Sequence, residues 1–409
     1  MSKFPKIARY GLATVLVLGL PSAGLLTAQE PSRGQSESSP TPPLLPPLPK
    51  LRTPSNGGDS LPRSPVVQGL HMAFPEGGRV DWSVQGDWIA FDKRGDDGYY
   101  DIYVAKPEAT DERCLTCSLL EFRKSHAYNP TWHPSGQLLV FQVQDLARKL
   151  RLGASEMATP DRGLHSQLWT ISSDGEQFLQ LTQNQSNRAV LDPRFSNEGK
   201  LLAWSERVET RVGRWGRWQL RVAAFNVRAQ VPQLKKVRTY RPGERRLFVT
   251  ADSFSPDDKK LLITGNLEAD QPEAGMDIYL LDLETKEQTP LTHSFAEWDQ
   301  QAQISPDGQY VAWTSNRNLP RLRAPAPEGA TFSARPVRRE LWLKKLDGSG
   351  EERLTFFNHR ASSMAQTGAT VADFAWSPDG DRIVLHVVMD FVGQSEAIYL
   401  LKLDSSFAR

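Results

Sequence analysis

A four-residue turn, Ser-Pro-Asp-Gly, stands intact at Ser305-Pro306-Asp307-Gly308 and again at Ser377-Pro378-Asp379-Gly380. Four altered copies precede them: Ser83-Val84-Gln85-Gly86, His133-Pro134-Ser135-Gly136, Ser196-Asn197-Glu198-Gly199 and Ser255-Pro256-Asp257-Asp258. Proline pre-sets the turn backbone, aspartate bonds locally and glycine accepts a positive φ, so each copy predicts a hairpin. A short aromatic and β-branched strand follows every copy: Trp88–Phe91, Leu138–Phe141, Leu201–Trp204, Leu261–Thr264, Tyr310–Trp313 and Ile383–Leu385. Next comes a strand marked by Asp101-Ile102-Tyr103-Val104, Gln167-Leu168-Trp169-Thr170, Trp218-Gln219-Leu220-Arg221, Asp277-Ile278-Tyr279-Leu280, Glu340-Leu341-Trp342-Leu343 or Ala397-Ile398-Tyr399-Leu400. A fourth strand closes with Leu-Thr at Leu115-Thr116, Leu181-Thr182, Leu291-Thr292 and Leu354-Thr355. A unit of this kind cannot bury its own faces and must stack on its neighbours. Four antiparallel strands repeated six times predict an all-β fold, a six-bladed β-propeller.

The two ends of the repeat array predict how the ring closes. The sixth copy runs out at Leu403 before a fourth strand, whereas Val66–Ala73 is strand-like and lies ahead of the first copy. We expect that N-terminal segment to supply the missing outer strand and so leave no unpaired edge. From about Arg79 to Leu403 the repeat resembles the TolB-like propeller family, whose consensus matches Trp376-Ser377-Pro378-Asp379-Gly380 and the Ile-Tyr and Leu-Thr strands. The resemblance implies the fold and export to the periplasm. It specifies function poorly, because one fold serves many roles. The α/β domain that precedes the propeller in a full TolB has no counterpart in this sequence, where a proline-rich stretch takes its place.

Residues 1–28 have the layout of a secretory signal: Lys3, Lys6 and Arg9, an apolar run Gly11–Leu20, Pro21, then small residues with cleavage expected after Ala28. Residues 29–65 hold ten prolines among Ser and Gly, a composition that builds no core and favours extended polyproline conformations. At ~3.1 Å per residue such a linker reaches on the order of 100 Å. Residues 66–409 are then the propeller. Gly58-Asp59-Ser60-Leu61 spells a hydrolase motif, but it lies in the linker, without the strand–loop–helix setting a serine nucleophile needs. After cleavage no segment is expected to span a membrane. With 49 basic against 48 acidic side chains, nucleic acid is not an expected partner. The expected location is periplasmic or secreted, and the expected state a monomer.

Strand alternation sorts the loops by face. The Ser-Pro-Asp-Gly turns share one face, and the second-to-third-strand insertions Gln144–Ser166, Glu206–Arg217 and Asn316–Arg339 share the other. These insertions carry net charges of +1, +2 and +5, nearly all from arginine. The planar guanidinium suits carboxylates and phosphates. Arg211, Arg214, Trp215, Arg317, Arg321, Arg323, Arg338 and Arg339 are therefore candidates for binding an envelope protein or an acidic glycan. Just before each first strand, Arg79, Asn129, Asp192, Ala251, Gln301 and Asp373 align at the expected tunnel mouth.

His126, His293 and His359 lie in blade-to-blade loops, but at different offsets from the repeat, which argues against one metal centre. Neither a metal nor a cofactor is expected, and no catalytic residue is singled out. Cys114-Leu115-Thr116-Cys117 has the spacing of a redox pair, yet falls on a predicted outer strand rather than at a helix start. Residues three apart on a straight strand lie roughly 10 Å apart, so a Cys114–Cys117 bridge requires a bend. We expect that bridge. The functional expectation is a non-catalytic interaction module of the cell envelope. The alternative is an enzyme, such as a metal-dependent polysaccharide lyase, working at the tunnel mouth.

Overall fold

The computed structural model describes residues 62–145, 165–183, 189–209, 216–244, 248–272, 275–294, 297–319, 337–362, 365, 368–390 and 395–404. The proposed signal peptide and nearly all of the linker, with its Gly58–Leu61 motif, lie outside them. The chain opens with β1 (Val67–Phe74). Blade one holds β2 (Val80–Trp82), β3 (Ile89–Arg94), β4 (Tyr100–Ala105) and β5 (Arg113–Cys114). Blade two holds β6 (Ala127–Trp132), β7 (Leu138–Gln144), β8 (Ser166–Ser172) and β9 (Phe178–Gln180). Blade three holds β10 (Val190–Phe195), β11 (Leu201–Glu209), β12 (Arg217–Arg228) and β13 (Val231–Tyr240). Blade four holds β14 (Val249–Phe254), β15 (Lys260–Gly265), β16 (Asp277–Asp282) and β17 (Gln288–Pro290). Blade five holds β18 (Asp299–Ile304), β19 (Tyr310–Ser315), β20 (Glu340–Lys345) and β21 (Glu352–Arg353). Blade six holds β22 (Thr370–Trp376), β23 (Arg382–Asp390) and β24 (Ser395–Leu403).

Each blade is a four-stranded sheet, and that of blade six runs β1-β24-β23-β22. The N-terminal strand thus closes the ring as the sequence predicts, one residue later than expected at each end. It pairs antiparallel with β24 from Val67 opposite Leu403 to Phe74 opposite Ile398. Phe74 then packs on Phe91 of blade one, with ring centroids 5.0 Å apart. The buried cluster around it combines Ile398 and Leu400 of blade six with Val80, Trp82 and Ile89 of blade one. Apolar strand faces of neighbouring blades bury each other in this way around the ring, because each sheet has two faces to cover and no helix to cover them. Among the described residues there is no helix, hence none long and apolar enough to cross a membrane.

The repeat turns form alike in all six blades. The last turn residue donates its N–H to the first residue's carbonyl, for example Gly308 to Ser305 and Gly380 to Ser377, at 2.8 and 3.0 Å. The five glycines at this position have φ between 68 and 95°. Asp258, which stands where the others have glycine, also adopts a positive φ of 57°. Its carboxylate receives the backbone N–H groups of Asn197 and Glu198 and the Asn197 side-chain amide, tying blade four to blade three. The altered copy trades backbone ease for an inter-blade contact.

The Leu-Thr pairs differ from expectation. The outer strands stop just before them, at Cys114, Gln180, Pro290 and Arg353. Each threonine hydroxyl instead accepts a third-strand N–H, from Ile102, Leu168, Ile278 or Leu341, at 2.9 Å in all four cases. The same hydroxyl donates to the residue before that N–H: Asp101, Gln167, Asp277 or Glu340. The pair ends the outer strand and satisfies a buried third-strand donor beyond the reach of that strand's own ladder.

Candidate functional site: the braced tunnel

The first strand of each blade is innermost, and in blades two to six its register slips. Such a bulge re-aims side chains. Asn129, Asp192 and Gln301 occupy equivalent bulge positions, with φ of 52, 48 and 56°. Left-handed backbone at non-glycine residues concentrates where a side chain must be aimed. Sequence reasoning placed Asn129, Asp192, Ala251, Gln301 and Asp373 before their first strands; in the structure they lie within β6, β10, β14, β18 and β22, and only Arg79 precedes its strand. The four polar members are buried, Asp373 completely.

Contacts between non-adjacent blades show where these groups point, since only the central channel lets such blades meet. Arg79 of blade one pairs with Asp192 of blade three at 3.5 Å. The Asn129 side-chain amide of blade two also donates to Asp192, at 2.9 Å. Arg194 of blade three reaches across the ring to Gln301 of blade five at 3.2 Å and Asp373 of blade six at 3.6 Å. Two arginine spokes therefore brace the tunnel. Arg194 was missed in the sequence because strand alternation alone does not tell a spoke from any other polar residue two positions past Asp192.

A second ring was also missed. One residue past the core side chain of each second strand stand Asp92, Gln142, Ser205, Thr264, Thr314 and His386, all buried. In the first three, the side chain accepts the N–H of the next blade's bulge residue: Asn129 at 2.7 Å, Asp192 at 3.3 Å and Ala251 at 3.0 Å. A polar residue recurring at one buried position of an apolar strand was the available signal, because such a group is retained only where it finds partners.

The carboxyls of this region are strongly perturbed. Burial pushes Asp92 and Asp252 up to about 7 and Asp81 up to about 6, against the N–H groups and arginines that favour their charged forms. Beside Asp92, His386 Nε2 lies 3.4 Å from Glu396 Oε2. Burial opposes the His386 charge, but the Glu396 carboxylate and then Asp92 outweigh it and raise the imidazole. Gly78 makes room for this group: a Cβ there would sit 2.1 Å from Asp92 Oδ1 and 3.0 Å from Glu396 Oε2.

The arginine candidates fare unequally. Arg211, Arg214, Trp215, Arg321 and Arg323 lie outside the described residues. Arg317, expected to face a partner, is committed internally: it pairs with Asp299 at 2.6 Å and Glu351 at 2.5 Å and stacks on Trp313. Arg338 is buried, and Arg339 donates to Gln300 at 2.7 Å. The insertion thought to start at Glu206 begins later, since β11 continues to Glu209 and buries Glu206 against Arg221. An arginine count by loop cannot separate solvent-facing side chains from those recruited by a neighbouring carboxylate.

The histidines of the blade-to-blade loops do not converge. His126 packs on Tyr99 and Tyr100, His293 pairs with Glu268 at 3.4 Å, and His359 accepts the Ala361 N–H. Among the described residues only Asp101, Cys114 and Cys117 approach as a set of metal-ligand types, and the two cysteines form a disulfide. The bend that lets them meet comes where β5 ends at Cys114, with the Cα atoms 5.8 Å apart.

The six sheets and their turn repeat define a six-bladed β-propeller. Among solved structures the chain is similar to a putative TolB from Agrobacterium tumefaciens, at 15% identity and a TM-score of 0.47, over 81% of this chain and 91% of that one. It is also similar to TolB from Acinetobacter baumannii, at 15% identity and a TM-score of 0.37, over 80% and 67%. An oligogalacturonate lyase from Vibrio parahaemolyticus is similar at 10% identity and a TM-score of 0.45, over 85% and 93%. No protein-family model and no curated protein matches the chain. At these identities and TM-scores the likenesses do not bear on activity.

Proposed function

We propose that this chain is exported and works as a non-catalytic interaction module of the cell envelope, binding an acidic protein or glycan on the face that carries the long insertions. The signal-like residues 1–28 support export, and the linker of residues 29–65 then precedes the propeller as an extended spacer. One observation carries the non-catalytic reading. Charged groups of the tunnel pair with one another, Arg79 with Asp192 and Arg194 with Asp373, where a reaction centre needs groups aimed at a substrate. Binding then falls to the insertions, whose sequence concentrates positive charge. The test is capture of partners from an envelope extract. Arg321→Glu with Arg323→Glu should reduce capture and make the remainder less salt-sensitive. Asp307→Lys with Asp379→Lys, on the turn face, should leave it intact. The opposite pattern would place the working face at the other end.

The lyase reading keeps one specific support: Asp92, raised to about 7, sits beside His386 and Glu396 within a buried polar group. Carboxyls poised near neutrality suit acid–base work. Cleavage of polygalacturonate that disappears in Asp92→Asn would favour it over the binding reading.

A further inference from the structure

Blade three has the longest outer strand. The outer strands β5, β9, β17 and β21 span two or three residues and β1 of blade six eight, whereas β13 spans ten. It is the last strand of its sheet, so one row of its backbone N–H and C=O groups has no strand to pair with. Three of the seven exposed large hydrophobic residues among those described, Val227, Val231 and Val237, sit on this one hairpin. Its charge is one-sided as well. Between Glu209 and Glu244 the sequence contains seven arginines and two lysines and no carboxylate, in a chain whose net charge is +1. Arg221 and Arg217 are paired with Glu206 and Glu209, but Arg228, Lys235 and Lys236 have no ion pair among the described residues.

We propose that the free edge of β13 is a docking site for an extended acidic peptide segment of another protein, which adds to blade three as a fifth strand. The peptide's backbone would satisfy the open row of β13, its carboxylates would face Lys235, Lys236 and Arg228, and its apolar side chains would cover Val231 and Val237. The charge excludes a second copy of the same edge, which would set lysine against lysine. An anionic bilayer fits less well, because an open sheet edge entering hydrocarbon leaves its backbone groups unsatisfied. This rim is distinct from the insertion face, so the proposal does not depend on the function proposed above.

The probe is a fluorescent twelve-residue peptide alternating Glu with Val and Thr, titrated into the full chain by anisotropy. Binding should weaken at least tenfold in the Lys235→Glu, Lys236→Glu double variant, whose exposed side chains leave the fold intact by circular dichroism. It should weaken equally when the peptide's central residues are N-methylated, a change that keeps every charge but removes the backbone donors. Hydrogen exchange should slow between Val231 and Tyr240 when the peptide is bound. Equal affinity for the N-methylated peptide would overturn strand addition in favour of charge alone. Tighter binding of anionic phosphatidylglycerol vesicles or polygalacturonate to the same edge would replace the peptide with that class, and no binding of any probe would remove the site.

Discussion

Phe74→Ala tests ring closure at its most loaded point. Phe74 is 3% exposed at the end of β1, the only strand that reaches blade six from the N-terminal side of the repeats. Its ring contacts Phe91 and shares a buried cluster with Ile398 and Leu400, so it belongs to two blades at once. Truncating a buried phenylalanine costs about 3–5 kcal/mol through lost transfer energy and the cavity left behind. For a domain of this size the unfolding entropy is about 0.7 kcal/mol per degree, so the melting temperature should fall by roughly 4–7 °C. The control is Met72→Ala on the same strand, where the side chain is 43% exposed and the expected change is under about 1 °C. Removing residues 1–76 should lower the melting point at least as far as Phe74→Ala, while removing only residues 1–62 should change little. Thermal unfolding followed by circular dichroism reads all four proteins. If Phe74→Ala and the longer truncation melt with the full chain, β1 is an ornament of blade six and the closure argument is wrong.

Thr355→Val is nearly isosteric but leaves the Leu341 N–H without its acceptor and takes one donor from Glu340, a loss of about 2–4 kcal/mol that Thr355→Ser should largely avoid; equal stability of all three proteins would dismiss the threonine's capping role. Asp252 accepts from Thr250, Thr264 and Ala302, an arrangement asparagine can keep without charge. Its pKa is raised from 3.8 unfolded to about 7 folded, so its contribution to stability is full below pH 4 and lost as pH rises through 7. Asp252→Asn should therefore melt higher than the wild type at pH 8 and alike at pH 4, and a gain of the same size at both pH values would refute the assignment. Asp258→Gly restores the repeat consensus yet removes three inter-blade hydrogen bonds, so chemical denaturation should show a loss of about 1–2 kcal/mol rather than a gain. Reducing Cys114–Cys117, which closes a very short loop, should cost no more than about 2 kcal/mol, and native protein from an oxidising compartment should show no thiol to alkylation.

The sequence by itself determined the number of blades, the turn that joins the first two strands of each and the strand that closes the ring. All three are local in origin. A Ser-Pro-Asp-Gly turn reads out in four residues, and strand alternation then assigns every loop to a face. The same locality explains why Asn129, Asp192, Gln301 and Asp373 share one offset from the repeat turn. What the tertiary structure decided is which polar groups meet once six such units form a circle. Arg194 finds Gln301 and Asp373 at positions more than a hundred residues further along the chain, and no pattern within one repeat specifies that distance. Arg317 carried the same charge as its neighbours in the insertion, and only the placing of Asp299 and Glu351 beside it turned a candidate binding residue into a structural one. The open edge of β13 was likewise invisible in a scan for insertions. A strand's length can be read from residues, but its lack of a neighbour belongs to the whole sheet.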